Sequence, residues 1–596
     1  MLKAVTSIKN KLISLKNLNS KISPDDYNII KEGRAEILFP KEETVFYNPI
    51  QQFNRDLSVT CIKAWNNLYG PKAKNNRKTV IKPSHKRANE DSDSDDQTSI
   101  KHRKLEDGSV QVETFVHRKP YLKILEALSA TGLRAIRYAK EIPNVKEIVA
   151  NDLLPEAVES IRRNAQYNNV LDIVKPNQDD ANVLMYRNKA QNKKYHIIDL
   201  DPYGTVTPFV DAAFQNIEDD GLMLVTCTDL SVLAGNGYPE KCFALYGGVN
   251  MISHEATHES ALRLVLNLLG QTAAKYKKSI EPLLSLSIDF YVRVFIKVKT
   301  SPIKVKDLQS NTMITYHCSN CGSFANQPLG RKSEKVGKKS SKPYVKFAPA
   351  SGPPVNEKCQ FCDGTFHLAG PMYAGSLHND EFVKEVLRIN KEEHSKKKEF
   401  EGVYGTTKRI EGMVTLAAQE LKDAPFYFSP NNVSSIIKLQ VPPLKRIVAG
   451  LGSLGYQSSL SHAKHSCLKT NAPWEAIWYV MRESQKIDFP DIDMNKKLSK
   501  MNKNTAGYKI LSKMNEWLPK EEDSIAKENK NADEKPKKDY GEIDYSRKNN
   551  SFDITKLSFE PNEQSNKVEG LRHLKMVRYQ ENPTKNWGPK ARPNSS

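Results

Sequence analysis

The chain has 596 residues, with 90 Lys and Arg against 70 Asp and Glu and a formal net charge of +20. That length allows several domains, and the basic excess suits a polyanionic partner. No apolar run is long enough to span a bilayer, and the eight cysteines point to metal binding in a reducing compartment rather than to a disulfide scaffold.

Residues 1–24 carry Lys3, Lys9, Lys11, Lys16 and Lys21 and no acid, with Leu2, Val5, Leu12, Leu15 and Leu18 near helical spacing. That is the composition of a mitochondrial presequence, although arginine is absent; a plain basic N-terminus has the same look. An α/β pattern occupies residues 25–300, interrupted by an insert at 71–118. In the insert, Lys72, Lys74, Arg77, Lys78, Lys82, Lys86 and Arg87 precede the acids Glu90, Asp91, Asp93, Asp95 and Asp96, and Lys101-His102-Arg103-Lys104 follows. It lacks the apolar content to fold and is expected to be disordered. Its basic clusters read as nuclear import signals or as a solvated loop. With the presequence, they predict a product shared between nucleus and mitochondrion.

Tyr121–Leu128 reads as a strand, and Ser129-Ala130-Thr131-Gly132-Leu133-Arg134 as a tight turn into a helix. A nucleotide-binding sheet places its ligand at such a turn. A second strand, Glu147–Ala150, runs into Asn151-Asp152, where a doubly wound fold puts the carboxylate that binds ribose hydroxyls. A helix follows from Pro155 to Asn164, with proline suited to its first turn. Asp179-Asp180-Ala181-Asn182 ends the next short strand, and Ile197–Leu200 then leads into Asp201-Pro202-Tyr203-Gly204. Carboxyl ends of parallel strands share one crevice, so these acids, distant in sequence, should converge.

Asp201-Pro202-Tyr203 suits chemistry on the exocyclic amine of a base. Such a nitrogen is a poor nucleophile because its lone pair is delocalised into the ring. A carboxylate and a backbone carbonyl that accept its two N–H groups localise the lone pair and take up developing charge. Asp201 supplies the carboxylate, the Pro202 carbonyl is the second acceptor, and Tyr203 offers a face for stacking. The bland alternative is an ordinary strand-to-helix turn.

Further along, His254-Glu255-Ala256-Thr257-His258 matches the zinc-protease pattern and supplies the main rival reading, a metalloprotease acting through His254, Glu255 and His258. Against it, the motif lies inside the sheet pattern and no third ligand is evident. Leu283–Val298 reads as two long strands. The module at 301–370 contains Cys318-x-x-Cys321 and Cys359-x-x-Cys362, a set able to close a structural zinc site with no open position. Its spacer of Lys, Gly and Pro is expected to loop out, and Gly322 and Gly364 to make the tight turns. Cys61, Cys227, Cys242 and Cys467 read as core residues. Residues 371–480 contain helical stretches at 381–393 and 409–423. With Lys445, Arg446, Lys464, Lys469 and Trp474, they read as a docking domain for RNA, or as a small α/β packing domain. Gly450-Leu451-Gly452-Ser453-Leu454-Gly455 follows a helix rather than a strand, so it reads as a helix end and turn, not a dinucleotide loop. Residues 481–596 are expected to be a largely disordered basic tail.

Three stretches together carry a family resemblance: Glu126-Ala-Leu-Ser-Ala-Thr-Gly-Leu-Arg-Ala-Ile-Arg137, Asp199-Leu-Asp-Pro-Tyr-Gly204, and Phe46-Tyr-Asn-Pro49 with Asn54-Arg55-Asp56. They resemble the tRNA (guanine-26, N2)-dimethyltransferase family, in its eukaryotic, fungal-like branch, over about 27–478 and again at Asn582–Trp587. The turn departs from the common methyltransferase pattern of one acid and three glycines: Glu126 and Gly132 are kept, with Leu128 and Ala130 at the other two places. The resemblance implies a Rossmann-like class I methyltransferase domain, a four-cysteine zinc-binding insertion and a C-terminal α/β domain that docks tRNA. It implies S-adenosylmethionine as cofactor, contacted by Arg55, Arg134, Asp152, Asp180 and Ala181. It makes Asp201, with Pro202, catalytic, and has Phe46 and Tyr203 hold a flipped guanine that receives two methyl groups on N2. An RNA-binding protein without activity is the third reading, disfavoured by the intact Asp-Pro-Tyr.

Overall fold

The computed structural model describes residues 27–41, 47–71, 78–81, 97–104, 110–117, 119–336, 343–396, 403–517, 552–574 and 576–579. Phe46, residues 1–24 and the segment 582–587 therefore lie outside the described residues. The chain divides into two compact units, one of 1–199, 216–222 and 392–405, the other of 200–215, 223–391 and 406–596.

The first unit opens with the hairpin β1 (Tyr27–Glu32) and β2 (Ala35–Pro40). Gly33 turns it at φ +57°, where a Cβ would lie 2.3 Å from Glu141 Oε1. The hairpin is tied to the helix Pro155–Tyr167 because Asn164 and Asn168 accept the backbone N–H groups of Leu38 and Glu36. In the insert, three strands are described: β3 (Lys78–Ile81), β4 (Gln97–Lys104) and β5 (Val110–His117), paired antiparallel in the order β3-β5-β4. This corrects the expectation of wholesale disorder. The alternation in Val110-Gln-Val112-Glu is a strand pattern that a composition argument overlooks.

Four runs then build β6 (Leu122–Glu126), β7 (Val145–Asp152), β8 (Val174–Gln178) and β9 (Tyr195–Leu200). They pair in parallel, β9-β6-β7-β8, with Ile124 opposite both Ile148 and Ile197. Parallel pairing needs crossovers, and the helices Leu133–Glu141, Pro155–Tyr167 and Ala181–Ala190 supply them. With β10 (Ile217–Cys227), β11 (Lys278–Ile288) and β12 (Tyr291–Thr300), the sheet has seven strands in the order β11-β12-β10-β9-β6-β7-β8. The two long strands expected near 283–298 are the antiparallel pair β11 and β12. This is the Rossmann-like class I methyltransferase arrangement.

In the second unit the buried helix Thr257–Ala274 packs on β11. The module after it contains β13 (Thr312–Cys318), β14 (Phe324–Pro328), β15 (Gly330–Val336), β16 (Pro343–Pro349) and β17 (Phe366–Tyr373). The cysteine spacer does not simply loop out: β15 and β16 form a hairpin across most of it. Helices at 407–419, 444–453 and 474–483 and the pair β18 (Ser458–Leu460) and β19 (Leu468–Thr470) form the C-terminal α/β domain. The tail expectation also needs correction. Helices Ala506–Trp517 and Glu563–His573 follow, and Ile510, Leu511, Met514, Phe552 and Val568 are buried in this domain's core. Overall charge in 481–596 masked these apolar anchors. Gly450 and Gly452 lie within the helix Leu444–Ser453 and Gly455 turns out of it at φ +89°, as a helix end requires.

A buried polar hub holds this unit together. Glu420 accepts from the backbone N–H and Nδ1 of His462, both at 2.6 Å, and pairs with Lys469 at 3.2 Å; Lys469 also meets Glu259 at 2.9 Å. His378 Nε2 faces Glu420 at 3.7 Å. His462 Nε2 accepts from Ser287 N and His378 Nδ1 from Ser285 N, which assigns the protons to the nitrogens that face Glu420. Each imidazole lone pair is thus already used by a backbone donor. Lys469 stands as the cation, so the trio is a structural cradle and not a metal centre. Burial would raise the Glu420 carboxyl, but Lys469 and the two histidines outweigh it and hold it well below the usual range. A depressed carboxyl stabilises the fold fully above its unfolded value of about 4.3 and loses that contribution as pH falls through the folded value. We expect Glu420→Gln to cost about 3–5 kcal/mol at neutral pH, because it leaves Lys469 buried with half its partners. Denaturant melts from pH 7 down to pH 3 should show the wild type losing stability below about pH 4.5 with a steeper slope than the variant. Parallel slopes would contradict the assignment.

Candidate active site

In the first unit, the turn after β6 is built from within. Glu126 accepts from Ser129 Oγ at 2.7 Å and from Ala135 N at 3.1 Å. Gly132 caps the next helix at φ +77°, and a Cβ there would press on Ile161 at 3.1 Å. Asp152 closes the turn from β7: its two oxygens accept Ala130 N at 2.8 Å and Leu154 N at 3.1 Å. Asn151 reaches the Ala127 and Asp179 carbonyls and accepts from Asn177, binding the ends of three strands together. Asp180 caps the helix Ala181–Ala190, accepting Asn182 N and Val183 N, with Ala181 buried behind it. Asp152 thus ends β7 and Asp180 follows β8, at the carboxyl ends of two adjacent parallel strands. Beside Asp152, Leu153 and Leu154 are 63% and 59% exposed.

Two arginines are less available. Arg134 is buried, with its head on Ser58 Oγ at 3.1 Å, Asp199 at 3.5 Å and Glu126 at 3.7 Å. Arg55 grips Glu32 through Nε at 2.6 Å and Nη2 at 2.5 Å and also donates to the Asn48 carbonyl. Both look inward at protein groups. In the same unit Arg137 is wholly buried among Glu32, Asp56 and Glu141, at 2.7–3.0 Å.

The second unit carries Asp201. Gly204 sits at φ +83° with no atom within 4 Å of the place a Cβ would take, so the backbone angle alone demands glycine. Its N–H donates to Thr228 Oγ1 at 2.7 Å, and Thr228 N donates back to the Gly204 carbonyl at 2.9 Å. The loop is thereby laced to the end of β10. Pro202 is buried and Tyr203 is 52% exposed. Next to Thr228, Asp229 takes the Tyr246 hydroxyl at 2.7 and 2.9 Å on its two oxygens. The buried Cys227 thiol is pushed up to about 12 by burial first and then by Asp229. Asp229 was missed in the sequence, although the rule that flagged acids at strand ends applies to it equally.

The four cysteines converge. Cys318 and Cys362 sulfurs are 3.4 Å apart, those of Cys321 and Cys359 3.7 Å, and all four lie within 4.8 Å of one another and are buried. A tetrahedron of sulfurs about 2.3 Å from zinc has edges of about 3.8 Å. Each Cys-x-x-Cys turn is closed by a backbone bond, Gly322 N to Cys318 O and Asp363 N to Cys359 O. Gly322 takes a positive φ as expected, but Asp363 does so in the second turn; Gly364 is needed because a Cβ would meet Cys318 Sγ at 2.8 Å. The donor set fits zinc.

The rival motif dissolves. His254 precedes the helix that starts at Thr257, so His254 and His258 do not share a helical face. His254 is tied to the Gly322 carbonyl and Ala256 N, and His258 to Ser287 Oγ. Glu255 accepts from Ser429 N and Asn432. Of the expected docking residues, Lys469 belongs to the buried hub, and Trp474 packs against Phe324, Phe428 and Trp478. Arg446 pairs with Asp488.

Comparison with known proteins agrees with this geometry. Residues 25–482 match the family model described as N2,N2-dimethylguanosine tRNA methyltransferase. The chain is 65% identical over 580 residues to the mitochondrial tRNA (guanine(26)-N(2))-dimethyltransferase of Saccharomyces cerevisiae, covering 97% of this chain and 94% of that one. It is 43% identical over 572 residues to the tRNA (guanine(26)-N(2))-dimethyltransferase of Schizosaccharomyces pombe, covering 95% and 92%. Its fold is similar to that of Trm1 from Pyrococcus horikoshii, solved with S-adenosyl-L-methionine, with a TM-score of 0.55, 23% identity and coverage of 76% of this chain and 99% of that one. The chain belongs to the N2,N2-dimethylguanosine tRNA methyltransferase family.

Proposed function

We propose that this enzyme transfers two methyl groups from S-adenosylmethionine to N2 of guanine-26 in tRNA, giving N2,N2-dimethylguanosine. The observation that carries the reading is Asp201-Pro202-Tyr203, directly after the parallel strand β9 and held by the Gly204–Thr228 bonds. The names of the yeast relatives supply the position and the base.

The first unit suits the cofactor. The Asp152 carboxylate is placed for a ribose diol, exposed Leu153 and Leu154 offer apolar cover for a flat ring, and Asp180 with Ala181 lies at the next strand end. When bound, S-adenosylmethionine supplies an electrophilic methyl group. Arg134 and Arg55 then act as positioning residues, through Glu126 and Asp199 and through Glu32. Guanine-26 must leave its stack before reaction. Exposed Tyr203 takes one face of the extruded ring, and Phe46 is assigned the other on resemblance. Asp201 and the Pro202 carbonyl accept the N2 hydrogens, steer the lone pair toward the methyl group and stabilise the charge that forms on nitrogen. The four cysteines would hold a structural zinc at the end of β13.

Residues 1–24 and the word mitochondrial in the name of the budding-yeast relative support entry into mitochondria. The basic clusters of the insert support a nuclear pool. No helix among the described residues is long and apolar enough to cross a membrane.

Asp201→Asn should bind S-adenosylmethionine within about threefold of wild type by calorimetry, yet lose about 10²-fold or more in turnover, as expected when a developing charge loses its acceptor. Nucleoside mass spectrometry on unmodified tRNA is the readout; dimethylguanosine formed at the normal rate would overturn the role of Asp201. Metal analysis of the pure chain should find one zinc. It should be lost from a Cys318→Ser/Cys362→Ser variant and kept by His254→Ala/His258→Ala. Zinc that survives the loss of the cysteines would refute this centre.

A further inference from the structure

We propose that Asp229 is a specificity residue of this reaction, accepting the ring N1–H of the target guanine beside the amine held at Asp201. The inference rests on the assignment of Asp201 above. Guanine presents two neighbouring donors on its Watson–Crick edge, N1–H and the N2 amine. Asp201 and the Pro202 carbonyl account for the amine. An extruded base whose N1–H found no acceptor would carry a buried, unpaired donor, which costs about 1–3 kcal/mol.

Asp229 is the acceptor placed for it. It lies two residues beyond the end of β10, next to Thr228, and Thr228 is joined to the Asp201 loop by both of its bonds to Gly204. Tyr246 fixes the carboxylate itself, since its hydroxyl donates to Asp229. Tyr246 is buried and its single hydroxyl hydrogen is shared between the two Asp229 oxygens. The carboxylate is therefore oriented, yet it retains lone pairs for another donor. Asp229 itself remains partly exposed.

A modified base probes this contact. 2-Aminopurine keeps the amine, lacks the 6-oxo group and carries a lone pair at N1 in place of the hydrogen. A carboxylate repels that lone pair, whereas an asparagine amide can donate to it. Wild type and Asp229→Asn are assayed with two tRNAs that differ only in guanine or 2-aminopurine at position 26. We expect Asp229→Asn to lower kcat/KM on guanine about 10- to 100-fold, the range for a hydrogen bond to a charged group. On 2-aminopurine the variant should equal or exceed wild type. The preference of one enzyme between two substrates does not depend on the fraction of protein folded, so a destabilised variant still gives an answer. Tyr246→Phe, which removes the hydroxyl that orients the carboxylate, should weaken the guanine preference in the same direction. If Asp229→Asn changes both substrates by one factor, or neither, the proposal is overturned. If wild type leaves guanine-26 untouched, the reading of Asp201 has failed instead, and that arm is scored first.

Discussion

Placing several carboxylates at the ends of adjacent strands is electrostatically costly, and two arginines on one helix make it possible. Arg134 stands between Glu126 and Asp199, and Arg137 among Glu32, Asp56 and Glu141. Burial alone would favour protonated acids. The Glu32 carboxyl is instead held below its ordinary value, because the Arg55 and Arg137 guanidiniums outweigh desolvation. Removing either partner of such a buried pair leaves an uncompensated charge, at about 3–5 kcal/mol. The same helix begins at Gly132, the pivot of the turn that Glu126 and Asp152 hold. Charge compensation and turn geometry are thus one construction.

This arrangement sorts the acids into two kinds. Glu126, Asp199, Glu32 and Asp56 are answered by arginines inside the protein. Asp152 and Asp180 accept only backbone N–H groups among the described residues, and both lie near the surface. An acid answered internally is poorly placed to bind anything else. One that is merely oriented by amides keeps lone pairs for a ligand. In the second unit Asp229 is likewise oriented, by a tyrosine hydroxyl.

The sequence made legible whatever depended on local spacing. The parallel strands, the acids at their ends, Gly132, the Asp201 loop and the converging cysteines all carry a short-range pattern. What it could not show depended on partners far away in the chain. Arg55 and Arg134 belong to a recognisable motif, yet nothing near them announces Glu32, 23 residues from Arg55, or Asp199 beyond Arg134. Lys469 has the look of a surface cation suited to RNA, but Glu259, 210 residues away, holds it in the interior. The HExxH motif failed for a local reason, since the helix starts three residues too late. The tail and the insert were judged on bulk charge, which conceals a few well-spaced apolar anchors such as Ile510, Leu511 and Met514.

The two acceptor sets also bear on why one site can act twice on one nitrogen. After the first transfer the amine has a single N–H left, so the hold proposed for Asp201 and the Pro202 carbonyl would be halved. The ring N1–H is unchanged by that methylation. With Asp229 on N1, the once-methylated base keeps an anchor that the chemistry does not consume. It can then be presented again with its remaining hydrogen toward one acceptor and its new methyl toward the other side. A site that gripped the amine alone would lose affinity for its own intermediate at the step where it must retain it. In the arrangement proposed here, a second carboxylate, next to the Thr228 that is bonded to the same loop, would remove that conflict without any change of fold.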